Sequence, residues 1–90
     1  MTVWKYELEV SLQEPQMLEI PSGSDFLCFE NQRDIPVIWI GVHDTEAVKV
    51  TYLFVLLETG KTYDFGNANP LYRGTAMFMQ GKYVLHLFQE

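Results

Sequence analysis

Residues 4–10 read WKYELEV, with Trp4, Tyr6, Leu8 and Val10 on alternate positions and Lys5, Glu7 and Glu9 between them. A strand with one face on a core and the other in water needs this period of two. The same period governs the rest of the chain. No stretch keeps a helical period over three turns, and the β-branched residues of 45–57 argue against a short helix there. The apolar residues must therefore be buried through sheets. Helix bundles and layered α/β architectures are excluded.

The punctuation between apolar runs sets the strand count. Pro15 and Pro21 bracket QMLEI, and Pro21–Ser24 (PSGS) is turn chemistry. Asp25–Glu30 (DFLCFE) reads as a strand, and the polar run Asn31–Pro36 as a hairpin loop. Val37–His43 (VIWIGVH) is the most β-prone stretch, and Gly41 within it signals a bulge or a close approach. Val48–Leu57 is a long strand, and Thr59–Lys61 turns the chain. Thr62–Pro70 (TYDFGNANP) is an irregular loop. Leu71–Gln80 and Lys82–Phe88 form a hairpin around Gln80-Gly81, with Gly74 marking a bulge.

These residues predict an all-β fold: a small antiparallel sandwich or barrel of six to seven strands, forming a single domain over 1–90. The expected core is Trp4, Tyr6, Leu8, Phe26, Cys28, Ile38, Ile40, Phe54, Leu56, Met77, Val84 and Phe88. A 48% apolar share suffices to bury such a core.

Charge narrows the partners. Six Lys+Arg against twelve Asp+Glu give a net charge of −6, which repels phosphate backbones and attracts basic surfaces. Direct nucleic-acid binding is not expected. Glu7, Glu9, Glu14, Glu19, Asp25 and Glu30 face Lys5 alone in the first third of the chain. The single cysteine allows no internal disulfide and fits a reducing compartment. The opening lacks a signal-peptide pattern, and the run Tyr52–Leu57 is too short for a helical membrane span, so no membrane association is expected.

Chemistry-bearing residues are sparse. A nucleophile needs a base beside it and a third group to orient that base. His43 and Asp44 are adjacent and so point to opposite faces of a strand, and His86 lies within a strand; both read as structural. Cys28, in an apolar run, reads as a buried, inert thiol. Two histidines and one cysteine show no metal-ligand spacing. Neither a catalytic residue, a metal nor a cofactor is expected. Lys5, Glu7 and Glu9 project from the side opposite Tyr6 and Leu8, and Glu19 is placed likewise on its own strand. If those two strands paired, the carboxylates would form one acidic patch, a candidate partner-binding surface. The alternative is that these acids serve solubility.

The ordered set Lys5-Tyr6-Glu7-Leu8, Pro21–Gly23, Pro36–Trp39, Tyr72–Thr75 and Val84–Phe88 resembles a family of short tailed-phage and prophage proteins. There, a Lys-Tyr-x-Leu opening, a Pro-x-Gly turn, a Pro-x-Leu-Trp strand, Tyr-x-Gly-Thr and a closing Val-x-His-x-Phe occur in this order. The sequence departs from that pattern at 25–31 and at 58–69. The resemblance carries no catalytic residues. It implies a phage protein in the cytoplasm of a bacterial host.

Together these readings lead to an acidic accessory protein that binds a host protein complex with a basic surface. An inhibitor of a defence system such as a CRISPR effector fits that description. Lys5, Glu7, Glu9 and Glu19 would meet the partner, and an exposed sheet edge would let two copies pair. Two alternatives remain open. One is a nucleotide-sequestering domain with Arg33, Lys61, Arg73 and Lys82 as phosphate contacts; the other is a minor virion or assembly component.

Overall fold

The computed structural model describes every residue, Met1–Glu90, and contains no helix. Seven strands form in chain order: β1 Thr2–Glu7, β2 Gln16–Pro21, β3 Asp25–Gln32, β4 Ile35–Val42, β5 Lys49–Glu58, β6 Leu71–Phe78 and β7 Tyr83–Gln89. They make two antiparallel sheets, β1-β4-β3 and β2-β5-β7-β6. Extents of 39 × 33 × 16 Å describe two stacked layers, so the fold is a sandwich and not a barrel.

The core lies between the sheets. Ile38, Ile40 and Val42 of β4 meet Phe54 and Leu56 of β5 and Leu85 and Leu87 of β7, with Leu8, Ile20, Phe29 and Phe78 around them. Central strands β4 and β5 carry most of the fully buried side chains, Val37, Ile38 and Val42 in one and Phe54, Val55 and Leu56 in the other, while the first half of β5 is largely exposed. At one flank the edge strands β3 and β6 approach each other. Asn31 Nδ2 donates to the Met77 carbonyl at 2.8 Å, and the Met79 amide donates to Asp34 Oδ1 at 2.9 Å. At the other flank the Tyr6 hydroxyl donates to the Glu19 carbonyl at 3.2 Å.

Three sequence expectations about the core change. Cys28 is exposed, not buried. A bulge between Phe26 and Cys28 inserts Leu27, so Phe26 and Phe29 face inward and Cys28 faces out. Met77 is 64% exposed while Phe78 is buried. In β7, Leu85 and Leu87 are the core residues, and Val84 and Phe88 belong to the opposite face. The run VLHLF is apolar on both sides of His86, so alternation alone does not choose its inner face.

The turns follow local chemistry. The Asn31–Pro36 loop is shorter than expected, because β3 and β4 run on to leave only Arg33 and Asp34, at φ 54° and 64°, as the hairpin turn. The expected bulge at Gly74 is present, between Tyr72 and Gly74. Gly74 adopts φ 142°, and a Cβ there would come within 3.4 Å of Phe29 Cβ. Gly41 lies in regular pairing with both neighbours, and Met1 and Leu27 close over the space its side chain would fill.

Candidate functional site

The two outward faces of the sandwich differ. On the β2-β5-β7-β6 sheet, alternation points Val55, Leu57, Val84, His86 and Phe88 away from the core. Val55 is nevertheless completely buried. The irregular segment 59–70 folds back here: Phe65 packs on Phe88 at 5.5 Å between centroids and edge-on against Tyr63 at 4.8 Å, while Tyr72 flanks Phe88 at 5.6 Å.

A chain of side-chain hydrogen bonds ties the segment down. The Tyr72 and Thr75 hydroxyls are bonded to each other. Thr75 Oγ1 bonds His86 Nδ1 at 2.9 Å, and Thr59 Oγ1 bonds His86 Nε2 at 2.7 Å. The Thr59 hydroxyl also reaches the Val84 carbonyl at 3.4 Å, an acceptor only. The ring tautomer sets the direction of each bond in this relay: with the proton on Nε2, Thr59 accepts from the ring and donates to Val84, Thr75 donates to Nδ1 and Tyr72 donates to Thr75. Thr75 and His86 stand at the separation of a nucleophile and its base. Here, however, both ring nitrogens and the Thr75 oxygen are engaged by the relay. The sequence placed His86 in a strand but not beside these hydroxyls. The signal was cross-strand register: Thr75 and Leu57 both pair with His86.

The face of the β1-β4-β3 sheet has no such covering segment. Half of it is bridged by polar side chains: Lys5 Nζ donates to Gln32 Oε1 at 2.8 Å across β4, above the fully buried Val37. Trp39 Nε1 donates to Glu30 Oε1 at 2.6 Å. The other half is apolar and open. Met1 is 71% exposed, Val3 54% and Leu27 44%, grouped around Gly41 beside half-buried Trp39 and the exposed Cys28. Partial burial, reinforced by the Glu30 carboxylate, holds the Cys28 thiol above its ordinary pKa.

The predicted acidic set divides between the two faces. β1 pairs with β4 and β2 with β5, so the two strands expected to pair lie in different sheets. Lys5 and Glu7 stand together on the β1-β4-β3 face, 3.6 Å apart. Glu19 points out from the opposite face, beside exposed Met17. Glu9 follows β1; its backbone pairs with the Gln16 side-chain amide at 2.8 and 2.6 Å and its carboxylate is free of hydrogen bonds. One continuous acidic patch does not form.

The four cations of the nucleotide alternative do not converge either. Arg33 and Lys82 occupy turns at one end of the strands, Lys61 lies in segment 59–70, and Arg73 sits in the β6 bulge near the other end. Of the histidines, His43 pairs with Asp25, Nε2 to Oδ2 at 2.7 Å, rather than with its neighbour Asp44. No three His, Cys, Asp or Glu side chains gather as a cation would need.

The sequence model of a family described as a domain of unknown function, DUF7352, matches residues 1–90. The chain belongs to this family. No curated protein and no solved structure gives a significant match to it. Within this DUF7352 domain, the open apolar half-face beside Trp39 is the surface the fold leaves least accounted for.

Proposed function

We propose that this DUF7352 protein is a small acidic phage accessory protein that binds a host protein complex through the outer face of its β1-β4-β3 sheet. Inhibition of a defence machine, a CRISPR effector or a similar system, is the activity this reading assigns. The resemblance to short phage proteins supports the origin. The net charge of −6 supports a basic partner. The observation that carries the reading is the contrast between faces. Segment 59–70 covers one only around Phe88, and exposed Met17 and Met77 stand apart from each other there, while the other groups Met1, Val3 and Leu27 in water next to Trp39. Aromatic anchors with an apolar surround and a polar rim are the anatomy of a protein-binding hot spot. Lys5, Glu7 and Glu30 form that rim, and Glu9 lies just past the end of β1.

The test pairs a binding assay with a functional one. Wild type expressed in a bacterium whose CRISPR or restriction system blocks a phage should restore plaques, and the tagged protein should retain components of that system. Leu27→Asp should lose both while keeping a folded β spectrum, and Glu19→Lys, on the other sheet, should lose neither. Bound partner should also slow maleimide labelling of Cys28. Restored plaques with Leu27→Asp would place the interface elsewhere.

A further inference from the structure

Two bulges meet at one end of the sandwich. The β3 bulge follows Phe26 and the β6 bulge contains Arg73. A bulge re-aims a side chain, and this one turns Arg73 inward between the sheets. Its guanidinium carbon lies 4.8 Å from the centre of the Phe26 ring, and its Nε donates to Gln89 Oε1 at 2.9 Å. No carboxylate lies within ion-pair distance of it; the two ion pairs of the protein are Lys5–Glu7 and His43–Asp25. In a chain with twice as many acids as bases, a half-buried arginine without a counter-ion is unusual. Stacking and the Gln89 bond fix its plane, and the paired Nη groups remain as a fork for an oxyanion.

The guanidinium forms one wall of a cleft of about 100 Å³. Ile20, Ile40 and Phe54 make its floor, Phe26 and Tyr52 its sides, and Asp25 stands at its rim. We infer that this cleft binds a small carboxylate carrying a short apolar group, with Arg73 as the anion fork.

Three features select that class. Nucleotide-sized ligands occupy clefts of roughly 300 Å³ or more, so this one is too small for them. A bare inorganic anion would leave the half-buried Phe26 and Tyr52 sides uncovered. A phosphate monoester carries nearly two charges at neutral pH and is repelled by Asp25 more strongly than a monoanion. The acid has two sources, a free short-chain carboxylic acid or the C-terminal residue of a peptide, and both present the same fork-compatible group beside an aliphatic one.

The experiment is a nitrogen-15 NMR titration with isovalerate, isovaleramide, inorganic phosphate, and a tetrapeptide ending in leucine as the free acid or the amide. Either free acid should give saturable shifts at Arg73 Nε and at the Phe26, Tyr52 and Gln89 amides. Isovaleramide and the amidated peptide should give none, and phosphate should bind at least about tenfold more weakly. Comparing isovalerate with the peptide acid identifies the source. Arg73→Gln should abolish the shifts. Asp25→Asn should tighten binding several-fold, a gain that misfolding does not produce. Absence of saturation with both acids up to about 20 mM, equal binding of an amide or of phosphate, or unchanged affinity in both variants would overturn the assignment.

Discussion

Cys28 shows how one inserted residue changes a side chain's chemistry. Leu27 takes the extra position of the bulge, and the thiol moves from the core side to the surface. Accessibility then favours reaction, while the raised pKa beside Glu30 opposes it. Maleimide should modify native Cys28 completely without denaturant, more slowly than a free thiol at pH 7, and faster in Glu30→Gln; a thiol that reacts only after unfolding would contradict the outward placement. Two tyrosines carry a second residue-scale prediction. Burial holds Tyr6 above its ordinary value of 10.0, and burial, then the Glu90 and Asp64 carboxylates, do the same for Tyr63. A group whose folded pKa is raised keeps its proton longer in the native state than in the unfolded one, so stability must fall as pH climbs past that ordinary value. Melting curves between pH 8 and pH 12 (a range of about four units around the tyrosine value) should show this decline. Tyr63→Phe should flatten it; equal slopes in wild type and variant would rule out the linkage. At this scale the sequence displayed the inner face of β4, where Ile38 and Ile40 share one side of a branched, apolar run and Trp39 and Gly41 take the other. It did not display the inner face of β3, because nothing in FLCFE announces an inserted residue to a count of two.

At the scale of elements, segment 59–70 behaves as an added layer on the β2-β5-β7-β6 sheet. It carries neither helix nor strand and is held by the Phe65–Phe88 contact and by the His86 relay. The sequence marked this segment as irregular through Gly66, Asn67, Asn69 and Pro70. It did not show where the segment lies, because hydrogen bonds between Thr59, Thr75 and His86 join positions far apart in the chain. For the same reason the outer set of β7 looked like core: the covering segment buries part of Val84 and Phe88 from outside. His86→Ala removes both ring bonds and leaves the Thr59 and Thr75 hydroxyls to water. A loss of about 1–2 kcal/mol of stability is expected, since the relay is half-exposed and partly replaced by solvent. The loss should concentrate locally, with faster amide exchange and tryptic cleavage at Lys61 before global unfolding. In wild type, the imidazole nitrogen shifts should report the Nε2–H tautomer. Unaltered protection of 59–70 in His86→Ala would show that the aromatic contacts alone hold the segment.

The whole molecule combines one face partly covered by segment 59–70, one half-open apolar face and a net charge of −6. An open apolar patch on a small domain invites association, and the nearest candidate is always a second copy. Two copies bring their entire negative charge together, however, and that repulsion is long-ranged in dilute salt and screened within about 10 Å at 0.1 M. On the proposed reading, the charge around the patch would disfavour its own copy and favour a basic surface with an apolar centre. Sedimentation should find monomers in dilute buffer. Self-association should grow as salt is raised or as pH is lowered towards the sequence pI near 4.7, where the charge falls away. Leu27→Asp should remove that growth by adding charge inside the patch. Binding to a basic protein partner should move the opposite way, weakening with salt. A dimer equally strong at low and high salt, and indifferent to Leu27→Asp, would mean that the open face is not what brings copies together, and that the charge does not choose its partner.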